Sequence, residues 1–171
     1  AIHNAAFAAM SKPWRYVAID VDSEYFEEEV SAARDAGMLG LSITMPHKDA
    51  AFSLVQHRDE IAQRSGSVNT IMFDDSGTLR GANTDGDGCC NAIEQEGVGI
   101  AGSRVVIVGA GGTARAIVAT LERRGASDVA VINRTESRAQ DVIAAATVAR
   151  IGTVDDIATA NILINATSVG M

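Results

Sequence analysis

The sequence predicts an α/β protein of two lobes, a mixed α/β lobe followed by a lobe built on part of a doubly wound parallel sheet. Two observations carry this. Val105-Val106-Ile107-Val108 is a β-branched run that ends in Gly109-Ala110-Gly111-Gly112-Thr113-Ala114, and strand-like and helix-like segments alternate from there onward. Gly97-Val98-Gly99-Ile100-Ala101-Gly102 sets three glycines in six residues between that half and a differently organised first half, which puts the lobes at residues 1–98 and 99–171.

In the first half, Trp14 to Val21 is rich in β-formers and predicts a strand. Ser23 follows as the cap of a helix through Ala36, with Glu24, Glu27 and Glu28 at its positive end and Phe26, Val30 and Ala33 on one face. Gly37 closes that helix, and Leu39 to Thr44 is the next strand. Pro46 then sits in a helix's first turn and places Lys48 in the same turn. A helix over Asp59–Arg64 ends at Gly66. Strands at 68–73 and 78–81 flank a hairpin turn at Asp74-Asp75-Ser76-Gly77, and Asn83-Thr84-Asp85-Gly86 opens a helix reaching about Glu96.

In the second half the spacing predicts strand 105–108, helix 113–124, strand 128–132, helix 136–146, a short strand at 148–151, a helix at 154–159 and strand 161–165. Near-continuous valine and isoleucine runs suit strands covered on both faces.

With 171 residues, 47% of them hydrophobic and 21% charged, the chain is of globular composition. A net charge of −8 argues against a nucleic-acid or anionic-membrane partner, because both need a dense basic face. No apolar run approaches the roughly 20 residues of a membrane helix. Cys89 and Cys90 are adjacent, which suits neither a mutual disulfide nor a metal site, and His3, His47 and His57 are too scattered for a metal triad. A reducing cytoplasm and no metal are the expectation. The start at Ala1 without an initiator methionine, and the stop at Met171 after a strand-like segment, read as cuts at both ends.

Gly109-x-Gly111-x-x-Ala114 has the spacing of a Rossmann dinucleotide turn: the first glycine permits the tight turn, the second admits the pyrophosphate, and the small third residue lets helix and strand pack closely. Its alternative is a purely structural strand-to-helix turn. About 20 residues further on, where a cofactor without a 2′-phosphate wants an acid, stand Asn133-Arg134-Thr135-Glu136-Ser137-Arg138. Two guanidinium groups pair with a phosphate dianion, so NADP(H) is favoured over NAD(H), although Arg134 and Arg138 also suit a solvated helix start. Lys48 is an ordinary surface lysine unless a carboxylate such as Asp85 orients its ammonium for proton transfer, and nothing local in the sequence brings the two together.

Segments 41–48, 66–70, 81–88, 109–115, 133–138 and 165–171, with the opening Ile2-His3-Asn4-x-x-Phe7, resemble the shikimate dehydrogenase family in order and spacing. The resemblance covers essentially the whole chain. It implies that Lys48 is the acid/base at the carbon-3 oxygen of the substrate, that Asp85 is its partner and binds a ring hydroxyl, and that Thr44 and Asn69 also bind substrate. It implies that Gly109, Ala110, Gly111, Gly112 and Thr113 cradle the pyrophosphate, that Asn133, Arg134, Thr135 and Arg138 hold the adenosine 2′-phosphate, and that Thr167 and Ser168 lie near the nicotinamide. The implied reaction is reversible reduction of 3-dehydroshikimate to shikimate by NADPH, in a cytoplasmic monomer or homodimer.

Ser42 departs from the family, which usually has asparagine there. The family's serine-x-serine pair before Ile2 and its later cofactor-lobe strands fall outside residues 1–171, so the resemblance implies a weakly active or inactive isolated chain. Two competitors stay open. One is a quinate or mixed quinate/shikimate dehydrogenase: quinate carries one more hydroxyl, and that activity often accompanies NAD preference in the family, against which Arg134 and Arg138 lean. A non-catalytic nucleotide-binding protein would need neither Lys48 nor Asp85.

Overall fold

The computed structural model describes residues 2–167 and Val169. Two four-stranded sheets organise it. The first has the order β1 (Gly40–Ser42), β3 (Thr70–Phe73), β4 (Leu79–Ala82), β2 (His57–Arg58). It is mixed: β3 runs antiparallel to β1 and β4, and β2 parallel to β4. The second, in the order β7 (Ala149–Ile151), β6 (Asp128–Ile132), β5 (Arg104–Val108), β8 (Ile162–Asn165), is parallel throughout, as the unbroken valine and isoleucine runs predict.

Helices α1 (Ile2–Ala9), α2 (Phe26–Asp35), α3 (Lys48–Leu54) and α4 (Glu60–Ser65) belong with the first sheet by sequence, and α6 (Gly112–Arg123) and α7 (Glu136–Ile143) with the second. Between them runs α5 (Asp85–Gln95). In α2, Phe26, Val30 and Ala33 recur at helical spacing and are buried, and Phe26 and Val30 join Val55, Val68 and Ile71 in the first core. The second core gathers Val105, Ile107, Val118, Leu121, Val129 and Val131, and it also takes in Cys90 of α5 and Ile61 of α4. Elements from the first half of the sequence are thus packed into the second core. None of the described helices is long and apolar enough to cross a membrane.

Several local expectations are corrected. Residues 14–21 form no strand: a strand needs a ladder partner, and the segment makes no ladder bond. Asn4 instead clamps Tyr16, donating from Nδ2 to its carbonyl at 2.9 Å and accepting its amide at 2.6 Å. Val17 and Ile19 stay about half exposed, at 48% and 51%. Ser23 does not cap α2; it opens a 3₁₀ turn over Ser23–Tyr25 that runs into the helix. Pro46 lies in the turn before α3, after a cis Met45–Pro46 peptide, so Lys48 is the first helical residue. Helix α1 and the two-residue strand β2 were not expected, and residues 154–159 coil as 3₁₀.

Candidate active site

Three parallel strands deliver their C-terminal ends to one edge. The Gly109 amide donates to the Ile132 carbonyl at 2.9 Å, and the Ala166 amide to the Val108 carbonyl at 2.8 Å. The turns after β5, β6 and β8 are therefore neighbours. Gly109 has φ +117°, and a Cβ there would meet Ala166 backbone atoms at 2.7 Å, so the first glycine of the turn is required by both conformation and space. Gly111 has nothing within 4 Å of where its Cβ would be. The turn thus leaves open space at its second glycine, ahead of the amides of the first turn of α6, as an approaching phosphate needs.

On the neighbouring turn Asn133 donates from Nδ2 to the Thr135 carbonyl at 2.8 Å. Arg134 and Arg138 are exposed and make no hydrogen bond or ion pair among the described residues, leaving two guanidinium groups available to an anion. Thr167 folds its amide and hydroxyl onto Asn165 Oδ1 at 3.0 and 2.7 Å. Ser168 lies outside the described residues.

Beside the first turn of α6, Lys48 and Asp85 meet. They are the first residues of α3 and α5, 37 positions apart, and Lys48 Nζ donates to Asp85 Oδ2 at 2.6 Å. The side chains keep 18% and 21% of their exposure, so the pair is shielded yet reachable. Lys48 Nζ also donates to Thr113 Oγ1 at 3.1 Å, and that hydroxyl donates to Asp85 Oδ2 at 3.0 Å. Asp85 Oδ1 accepts from Asn69 Nδ2 at 2.7 Å. Burial pushes the Asp85 carboxyl up, but the Lys48 hydrogen bond and charge, with Asn69 and Thr113, outweigh it and hold the group below its ordinary value. The carboxylate is ionised, and the ammonium has two of its three donors engaged among the described residues.

The frame around this cluster is polar and largely buried. Asn83, 2% exposed, donates from Nδ2 to the Ser67 carbonyl at 2.9 Å and accepts the Asp85 amide at 3.1 Å. Asn69 Oδ1 accepts the Thr84 amide at 3.1 Å. The Ile43 amide donates to the Asn69 carbonyl at 2.7 Å, which sets Thr44 beside the cluster, exposed and outside its hydrogen bonds. Arg115 donates from Nη2 to Asp49 at 2.6 Å and from Nε to the Ser65 carbonyl, tying the first turn of α6 to α3 and α4.

Sequence reasoning gave no role to Asn83, Thr84, Ser67 or Arg115. All four sit inside segments it had singled out, 66–70, 81–88 and 109–115, which was the available signal. The described residues contain no group of three or more His, Cys, Asp or Glu side chains placed to hold a metal.

Comparison with known proteins points to one family. The family model described as "Shikimate dehydrogenase substrate binding domain" matches residues 1–71, and that described as "Shikimate / quinate 5-dehydrogenase" matches residues 92–170. The chain is 42% identical over 139 residues to a shikimate dehydrogenase (NADP(+)) of Methanothermobacter thermautotrophicus, covering 81% of this chain and 48% of that one. It is 41% identical over 182 residues to the enzyme of the same name from Methanosarcina acetivorans, covering 100% of this chain and 65% of that one. Among solved structures, the shikimate 5-dehydrogenase of Listeria monocytogenes in complex with shikimate and NAD superposes with TM-score 0.89 at 29% identity, over 99% of this chain and 64% of that one. The chain thus spans about half to two thirds of the length of these relatives.

Proposed function

The chain belongs to the shikimate dehydrogenase family, and on that premise we propose that the protein containing it catalyses the reversible NADP-dependent reduction of 3-dehydroshikimate to shikimate. One observation carries the reading: the 2.6 Å contact between Lys48 Nζ and Asp85 Oδ2, bridged by a hydroxyl from the first turn of the glycine-rich helix. A protein that only bound nucleotide would have no use for an ammonium held in that way.

In the reducing direction the Lys48 ammonium, with a third donor left over, gives a proton to the oxygen forming at carbon 3, and takes it back in the reverse. Asp85 stays ionised, aims the ammonium and accepts from a ring hydroxyl. Asn69 and Thr44 add short polar groups suited to reading a triol. The open space at Gly111, the amides of Gly112 and Thr113 and the exposed guanidinium groups of Arg134 and Arg138 fit a dinucleotide with a 2′-phosphate, which supplies the hydride when bound. Gly109, Ala110, Asn133, Thr135, Thr167 and Ser168 complete that side. The reading divides the chain at residues 98/99 into substrate and cofactor lobes, and it carries a cytoplasmic monomer or homodimer with it.

The test is NADPH formation from shikimate and NADP+, with quinate in parallel and Lys48→Ala beside the wild type. Expected is turnover that falls by roughly 10²–10⁴-fold in the variant while NADP+ affinity is kept. Turnover surviving in Lys48→Ala would remove the acid/base role. NADP+ binding without turnover in the wild type would leave a nucleotide binder, and preferential oxidation of quinate would correct the substrate.

A further inference from the structure

Thr113 is the one residue of the glycine-rich turn whose side chain leaves the nucleotide side and reaches across to the first sheet's helices. Its hydroxyl accepts from Lys48 Nζ at 3.1 Å and donates to Asp85 Oδ2 at 3.0 Å, while Lys48 and Asp85 are joined directly at 2.6 Å. The three atoms close a triangle. A threonine hydroxyl has a single proton, and here it is committed to Asp85, so the side chain has no donor left for a phosphate. Only its backbone amide remains for the cradle.

The arrangement is built rather than incidental. Threonine is restricted at χ1, so a fixed backbone leaves the hydroxyl few directions. That backbone is itself fixed: Gly112 lies so close to Ser67 that an added Cβ would be 2.5 Å from the Ser67 hydroxyl oxygen. Arg115, two residues on, grips Asp49 and the Ser65 carbonyl. Lys48 is paired with Asp85 on α5, and its sequence neighbour Asp49 with Arg115. The first turn of α6 is therefore tied to α3, α4 and α5.

We propose that Thr113 is a positioning residue, whose hydroxyl sets the direction of the Lys48 ammonium and so ties proton transfer to the segment that receives the cofactor. The proposal rests on the acid/base reading of Lys48 given above. Valine in place of Thr113 keeps the β-branched shape and the backbone amide and removes both hydroxyl bonds. Serine keeps both bonds.

Two measurements on the protein containing this chain test it. In steady-state kinetics Thr113→Val is expected to lower kcat about tenfold, the effect of one charge-assisted hydrogen bond, with the KM for shikimate and the Kd for NADP+ within about twofold of wild type. Thr113→Ser is expected to recover most of that loss. Independently of turnover and without cofactor, acylation of lysine amines is followed by mass spectrometry, with Lys12 of the same chain as internal reference. Removing the hydroxyl releases one of the two held donors of Lys48 Nζ and loosens the side chain, so the Lys48-to-Lys12 rate ratio is expected to rise about threefold or more in Thr113→Val and to return in Thr113→Ser. An unchanged or lower ratio, equal impairment in both variants, or a loss found wholly in the Kd for NADP+ would overturn the positioning role. A wild type that does not oxidise shikimate would overturn the functional reading instead, and the labelling ratio would still decide the hydroxyl bridge.

Discussion

Asn69 donates from Nδ2 to Asp85 Oδ1 at 2.7 Å, and its own Oδ1 accepts the Thr84 backbone amide at 3.1 Å. A backbone N–H only donates, so the amide orientation of Asn69 is fixed and its NH₂ group is committed to Asp85. Asp85 is thereby satisfied on both oxygens and held below its ordinary value of 3.8. By linkage, the stability that this carboxylate contributes is fully present above that value and is lost as pH falls below it. Asn69→Asp keeps the Thr84 bond but sets a second carboxylate against the first, and one of two like charges in contact titrates higher. The acid limb of kcat/KM is expected to move up by about one unit or more. A pH profile superimposable on that of the wild type would show that Asn69 does not govern the ionisation of Asp85.

A second carboxylate holds α4 and α6 together. Glu122 takes the Thr147 hydroxyl and amide on one oxygen and Arg64 on the other, while Arg64 also donates to the Ala145 carbonyl at 2.8 Å. The Thr147 hydroxyl is the leading cause that brings the Glu122 carboxyl from 4.5 down to about 2, with Arg64 adding to it against burial. A lowered folded value means stability that is whole above pH 4.5 and disappears between there and about 2. Glu122→Gln should be less stable than wild type by about 1–2 kcal/mol at neutral pH, a figure reduced for solvent screening, and the gap should close as pH falls through that window. Denaturant unfolding at a series of pH values measures it, and a gap independent of pH would remove the charge from the explanation.

What was legible follows from the range of the physics involved. The centre of the second sheet was readable because β5 and β6 are short runs rich in valine and isoleucine and buried along most of their length, and Val105 to Val108 could hardly be anything else. Gly109 was readable because a tight turn against Ala166 admits no Cβ. The strand expected at 14–21 failed because propensity states only what a segment prefers once paired, and pairing is a property of the neighbours. The meeting of Lys48 with Asp85 came from family resemblance and not from spacing, since 37 residues separate them. The role of Thr113 was hidden for the same reason, its hydroxyl lying 65 positions from Lys48 in sequence. Arg64 with Glu122 and Arg115 with Asp49 look like ordinary surface charges in the sequence, and only helix packing brings each pair together.

Ser67 is fully buried, and its hydroxyl has no hydrogen-bond partner among the described residues. An unsatisfied buried hydroxyl destabilises the fold by about 1–3 kcal/mol. Its carbonyl, by contrast, accepts from Asn83 and from Ser65, and alanine leaves both of those bonds in place. Ser67→Ala is therefore expected to leave stability unchanged or to raise it by about 1 kcal/mol, with the Asn83 and Asp85 frame intact. Thermal unfolding monitored by circular dichroism decides it. A loss of stability would mean that the hydroxyl has a partner in solution.

Gly86 and Gly88 lie two residues apart in α5 and should respond to alanine with opposite signs. In a helix interior, alanine in place of glycine stabilises by roughly 1 kcal/mol when nothing obstructs the new methyl. At Gly88 nothing lies within 4 Å of where a Cβ would be, so Gly88→Ala should gain about 0.5–1 kcal/mol. At Gly86 the methyl would stand 2.1 Å from Thr120 Oγ1 and 2.5 Å from the Ala116 carbonyl oxygen. Neither can step aside, because that hydroxyl already donates to that carbonyl at 2.9 Å within α6. The helices must part, at a cost of about 1–3 kcal/mol, less whatever helix propensity returns. Since Asp85 is the preceding residue, the same displacement should pull its carboxylate off Lys48, so Gly86→Ala should lose turnover along with stability while Gly88→Ala keeps its turnover. Equal melting temperatures for the two variants would contradict the close approach of α5 to α6 on which the position of Asp85 depends.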